Sequence, residues 1–118
     1  MRWDVGMRRQ SIPELLEATR DPNPKVRKAA TRDLCPCEVK ANDSDAWDRL
    51  IAMTADPEIE VRRIALHAIL DGSPRSRRAE VIRVLESMYN DPHPRLRRQV
   101  RKVLARHRAT GKVNFDAH

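Results

Sequence analysis

An Asp-Pro turn recurs three times in this chain, each time leading into the same run of residues. The three segments are Asp21-Pro22-x-x-x-Val26-Arg27-x-x-Ala30, Asp56-Pro57-x-x-x-Val61-Arg62-x-x-Ala65 and Asp91-Pro92-x-x-x-Leu96-Arg97-x-x-Val100. The intervals are 56 − 21 = 35 and 91 − 56 = 35 residues. A period of this size marks a solenoid, whose units bury their apolar faces only by stacking on one another. That constrains the architecture strongly and the function weakly, because stacked repeats are general binding surfaces.

Apolar residues at helical spacing flank each turn. Ahead of the three turns lie Ile12, Leu15, Leu16 and Thr19, then Trp47, Leu50, Ile51 and Thr54, then Ile82, Leu85, Glu86 and Tyr89. After them come Val26, Ala29, Ala30 and Leu34, then Val61, Ile64, Ala65 and Ile69, then Leu96, Gln99, Val100 and Leu104. Steps of three and four place each set on one helix face. The expected fold is an all-α solenoid of three antiparallel helix pairs, A then B. The expected repeats span about 11–45, 46–80 and 81–111, with a C-terminal tail at 112–118, all in one domain 1–118.

The punctuation agrees with these helices. Ser11-x-x-Glu14 is a capping box with Pro13 in the first turn. Asn23-Pro24 and His93-Pro94 place a capping residue before a first-turn proline, and Glu58-Ile59 makes a weaker start. Pro36, Gly72 and Gly111 stand where the B helices stop, and Ser73-Pro74 offers a start to the third A helix. Asp43, Asp45 and Asp48 suit the N-terminus of the second A helix, where anions are favoured.

Glycine is scarce at 3 residues, which argues against an all-β fold, and 35% of residues are charged, as expected where the outer faces of stacked helices are solvated. No run of about 18 apolar residues exists to span a membrane. The N-terminus lacks an apolar secretory core, so a cytoplasmic location is expected. The net charge of +7 is uneven: residues 1–70 hold 12 Lys/Arg and 12 Asp/Glu, while residues 71–118 hold 12 and 5. Such asymmetry points to an acidic partner.

The three units resemble HEAT repeats, in particular the short HEAT-like units of phycobilisome-lyase-type bacterial proteins. The residues that carry the likeness are the Asp-Pro, the Val/Leu-Arg and the Ala or Val quoted above, over roughly residues 11–106. The tetratricopeptide and ankyrin signatures are absent. The resemblance implies a right-handed superhelix with B helices lining a concave face. It implies no single activity, since the family includes scaffolds, DNA-binding proteins and lyases. It also implies that Asp21, Asp56 and Asp91 form a ladder with Arg27, Arg62 and Arg97 between stacked repeats, a role suited to guanidinium–carboxylate geometry.

Two other columns are basic. Lys28, Arg63 and Arg98 form one, and Arg32, His67 and Lys102 form the other, one turn further on. Positions four apart share a helix face, so each B helix presents a basic pair, extended on the last helix by Arg101 and Arg106. Arg75, Arg77 and Arg78 cluster near the start of the third A helix, against the preference of the helix dipole. The expected function is a non-enzymatic binding module that holds an acidic protein partner on this basic face. The alternative is sequence-independent binding of a nucleic-acid duplex backbone through the same face, aided by Arg75, Arg77 and Arg78. Four aromatic residues are too few for a single-strand reader.

Cys35-Pro36-Cys37 is a third feature. With His67, and Asp33, Glu38 or Asp71 as a fourth ligand, it offers a zinc or cofactor site, although C-x-C is weaker than C-x-x-C. Packing at a helix end is the other reading, and no cofactor is the default. The remaining histidines have no ligand or triad partner at a diagnostic spacing. No phosphate loop, nucleophile elbow or metalloprotease motif occurs.

Overall fold

The computed structural model describes residues 10–34 and 43–111. Among them the chain forms six α-helices, one 3₁₀ turn and no strand. The helices are α1 (Ile12–Ala18), α2 (Pro24–Asp33), α3 (Ser44–Met53), α4 (Ile59–Gly72), α5 (Arg78–Ser87) and α6 (Pro94–Thr110), with the 3₁₀ turn at Arg75–Arg77. Consecutive helices pack as pairs, α1 on α2, α3 on α4 and α5 on α6. The first two pairs stack α1 on α3 and α2 on α4. The third pair joins the second through their shared apolar core and through two arginines, Arg62 to Asp91 and Arg77 to Asp48. The result is an all-helical, elongated body of 47 × 30 × 20 Å.

Local chemistry fixes where the helices begin and end. Ser11 and Glu14 form a reciprocal capping box on α1. The Asn23 side chain accepts from the Lys25 N–H at 2.9 Å, and His93 Nδ1 accepts from the Arg95 N–H at 3.3 Å. The Glu58 side chain makes no cap bond, so α4 starts on packing and on its ladder contacts. Asp43 caps α3 by accepting from the Ala46 N–H. Gly111 ends α6 in the left-handed region at φ 77°, a conformation that only glycine adopts without strain.

The core runs along the stack. Leu15, Ala30, Leu34, Trp47, Leu50, Leu66, Ile69, Val81, Leu85, Leu96 and Val100 are all buried in one cluster. Each fully buried aliphatic side chain contributes on the order of 1.5–3 kcal/mol relative to exposure. Trp47, on α3, is a buried aromatic within this cluster.

The structure corrects the sequence reading at several points. Val26 is exposed rather than core, because α2 belongs to the first pair and no described pair stacks on that side, while Ala29 is exposed on the outer face of α2, where its equivalent Ile64 is only half-buried. On α5 the buried residues are Val81, Leu85 and Met88, while Ile82 is half-buried and Glu86 and Tyr89 are exposed. The inward stripe of α5 therefore lies one residue earlier than expected. The third A helix begins at Arg78, after the 3₁₀ turn, rather than directly at Ser73-Pro74. Gly72 closes α4 as its last residue instead of following it.

The last pair carries a polar edge that the sequence reading overlooked. Thr31 and Leu66, which occupy one repeat position, are buried, whereas Arg101 holds that position in the third pair and is exposed. Its guanidinium lies over the Tyr89 ring, 4.2 Å from the centroid, and its Nε donates to the Tyr89 carbonyl at 2.9 Å. Where the first two pairs bury Thr31 and Leu66, the third carries a cation–π pair whose polar parts reach water.

Candidate functional site

The turns between paired helices are stitched by arginine. Arg27 donates from Nε to Asp56 Oδ2 at 2.9 Å and from Nη2 to Asp56 Oδ1 at 3.2 Å. Its Nη1 donates to the carbonyls of Asp21 and Pro22. Arg62 repeats this: Nε to Asp91 Oδ2 at 3.0 Å, Nη2 to Asp91 Oδ1 at 3.1 Å, and Nη1 to the carbonyls of Asp56 and Pro57. Each arginine thus ties its own turn to the next one. Each aspartate also accepts the backbone N–H two residues on, at Asn23, Glu58 and His93. The Asp56 bond holds the Arg27 guanidinium above its ordinary range, so it stays charged. Arg27, Asp56, Arg62 and Asp91 are consumed by the fold and closed to partners.

The outer faces of α2, α4 and α6 carry the basic columns. Lys28 is half-buried, while Arg32, Arg63, His67, Arg98 and Lys102 are exposed. Lys28 Nζ lies 3.9 Å from Glu60 Oε1, which places the outer faces of α2 and α4 side by side. Ala29, exposed, and Ile64, half-buried, occupy one repeat position beside the basic columns and add apolar surface there. Lys25 and Arg95, one turn nearer the helix starts, are exposed as well.

Glu60 holds the position equivalent to Lys25 and Arg95, amid the cations. It accepts from Arg63 Nη2 at 2.7 Å and from Arg63 Nε at 3.2 Å. The Arg63 hydrogen bond, and then the Arg63 charge, hold its carboxyl below the usual glutamate range, with Lys28 and His93 adding to the effect. The sequence reading missed Glu60, Lys25 and Arg95. The signal was available, since the column lies three residues before Lys28, Arg63 and Arg98 and therefore on the same face.

Other expected members of the face lie elsewhere. Arg101 is engaged by Tyr89 and by Asn90 Oδ1 at 2.7 Å. Arg106 is half-buried, with a buried Nε that has no hydrogen-bond partner. Arg77 is also withdrawn: it binds Asp48, Glu80 Oε1 at 3.1 Å, and both Ser44 Oγ and the Ser44 carbonyl. Its guanidinium, raised chiefly by the Asp48 bond, joins the starts of α3 and α5 instead of awaiting a phosphate. Arg75 and Arg78 are exposed beside it. The charge cluster that runs against the helix dipole is thus partly a clasp between A helices.

A shallow hollow lined by Leu16, Arg20, Asp45, Asp48, Arg49 and Ala52 lies between α1 and α3. Its arginines serve the fold. Arg20 donates to the Leu16 carbonyl, and Arg49 donates to Thr19 Oγ1 at 2.8 Å and to the Thr19 carbonyl at 2.9 Å. Burial, with the Arg20 charge, lowers the Arg49 guanidinium from its usual value. Cys35 and Cys37, the proposed zinc ligands, lie outside the described residues. Among the described residues no three His, Cys, Asp or Glu side chains gather as a metal site, and no helix is long and apolar enough to cross a membrane.

Stacked antiparallel helix pairs with a charged outer face and stitched turns define an α-solenoid, a class that works by displaying surface. The family model for HEAT repeats matches residues 12–105, and the chain belongs to the HEAT-repeat family. The match is to HEAT repeats in general, and the phycobilisome-lyase type remains an expectation of the resemblance. No curated protein and no solved structure matches the chain.

Proposed function

We propose that this chain is a non-catalytic scaffold that holds an acidic segment of a partner protein across the outer face of α2, α4 and α6. HEAT repeats generally mediate protein interactions, so the question is what this surface selects. The observation that carries the reading is the row of exposed cations Arg32, Arg63, Arg98 and Lys102, joined by Lys25, Lys28 and Arg95. Charge complementarity of this kind steers encounter and sets partner choice more than it adds raw affinity.

Glu60 favours a protein over a nucleic acid. A phosphate backbone presents charge at close, regular intervals and meets repulsion at a carboxylate in its path. An acidic peptide places its carboxylates at intervals and can straddle Glu60. Ala29 and Ile64 offer apolar contact beside the cations, which a peptide side chain can cover.

Fluorescence anisotropy with a labelled Asp/Glu-rich peptide and a labelled DNA duplex, from about 50 to 200 mM salt, separates the readings. Peptide binding that an Arg63→Glu/Arg98→Glu variant abolishes, with weaker duplex binding, supports the acidic-partner reading. Tight duplex binding that falls steeply with salt, alongside no peptide binding, replaces it with the nucleic-acid reading.

A further inference from the structure

The arginine–aspartate ladder is open at both ends, and the two ends are complementary. Arg27 and Arg62 each use Nε and Nη2 to grip the aspartate of the following turn. Arg97 donates Nη1 to the Asp91 carbonyl at 2.8 Å, as its equivalents do to theirs, but its Nε and Nη2 have no acceptor among the described residues. At the other end, Asp21 accepts the Asn23 N–H through Oδ1, as Asp56 and Asp91 do for their own turns, yet no described arginine grips it.

Apolar exposure marks the same two ends. Among the described residues the exposed large apolar side chains are Val26, 36% exposed, and Tyr89, 38% exposed. Val61 and Leu96 hold the position of Val26 in the other two pairs and are 1% and 2% exposed. Thr19 and Thr54 hold the position of Tyr89 and are 0% and 5% exposed. Val26 precedes Arg27 beside the first turn, and Tyr89 precedes the last one. One more stacked pair would cover these side chains on either side, together with the Arg101 guanidinium that lies over the Tyr89 ring.

We infer that a second copy of this chain stacks head to tail on the first, with Asp21 of one copy gripped by Arg97 of the other and with Val26 and Tyr89 buried at the joint. The joint reuses the Arg27–Asp56 geometry. The surfaces differ on its two sides, so the contact is heterologous and propagates from copy to copy rather than closing as a two-fold dimer. The inference does not depend on what the outer face of α2, α4 and α6 binds, although stacking would extend that face from copy to copy.

Sedimentation of the full chain over a rising concentration series tests it. The wild type is expected to give a ladder of species that lengthens with concentration. Asp21→Arg alone sets arginine against Arg97, and Arg97→Asp alone sets aspartate against Asp21, so each is expected to stay monomeric. An equimolar mixture of the two restores opposite charges at every joint and is expected to recover the ladder. Val26→Arg, at an exposed position that the monomer tolerates, is expected to stay monomeric while keeping its circular dichroism. A wild type that is monomeric throughout overturns the inference. So does a closed dimer, or a Val26→Arg variant that associates like the wild type, a result that holds even if the charge variants fail to fold.

Discussion

Asp56 is gripped by two arginines through different atoms: its carboxylate by Arg27 of the preceding pair and its backbone carbonyl by Arg62 of its own. A single turn therefore registers one repeat against the last and fixes the entry of its own B helix. With an Asp56 side chain only 6% exposed, water supplies little substitute for either partner.

The ladder makes a graded prediction. Arg62→Ala leaves the Asp91 carboxylate nearly buried without its cation, at a cost of about 3 kcal/mol. Arg97→Ala removes a bond to a backbone carbonyl and costs about 1 kcal/mol. Urea unfolding of both variants in dilute solution checks the order. Equal losses would mean that the Asp91 pair adds nothing beyond a turn contact.

Val26 and Val61 share a repeat position and differ in burial. Val61→Ala removes two buried methyl groups and is expected to cost about 1.6 kcal/mol, at about 0.8 per group. Val26→Ala is expected to stay within about 0.5 kcal/mol. Chemical denaturation at low protein concentration measures both.

The position of those two valines shows what was legible in the sequence and what was not. The 35-residue spacing of Asp21, Asp56 and Asp91 announces stacked pairs, and Ser11, Asn23 and His93 announce helix starts through short-range chemistry. A repeated column does not reveal which copy stands at the edge. Val26, Tyr89 and Arg101 occupy columns that are buried in the other two pairs, and only the stack decides their exposure. The basic columns were readable from helical spacing alone. Glu60 shares its column with Lys25 and Arg95, so the charge pattern of the sequence does not set it apart from the cations around it. Arg77 was misread because its partners, Asp48 and Ser44, come from a different repeat, and sequence spacing carries no sign of that contact.

Arg77→Ala removes the clasp between α3 and α5. Its bonds reach partly solvated acceptors, so the expected loss is about 1 kcal/mol. Thermal unfolding should show the shift, and peptide binding on the opposite face should be unchanged. A binding defect without a stability defect would return Arg77 to the partner site.

Glu60 gives a pH dependence of definite sign. Its folded carboxyl is depressed by Arg63, so the stability it contributes is fully present above the ordinary glutamate value. That contribution is lost as pH falls through the depressed folded value. Glu60→Gln should therefore match the wild type more closely in acid than near neutrality. Urea midpoints at the two pH values test this, and a gap that widens in acid would contradict it.

The most direct test of the acidic-partner account compares two double charge reversals with equal change in net charge. Arg63→Glu/Arg98→Glu alters the outer face of α2, α4 and α6, whereas Arg75→Glu/Arg78→Glu alters exposed arginines at the start of α5. Affinity for the labelled Asp/Glu-rich peptide is expected to collapse in the first variant and to remain near wild type in the second. Equal loss in both would mean that the peptide senses only the overall charge, and the proposed face would have no special role.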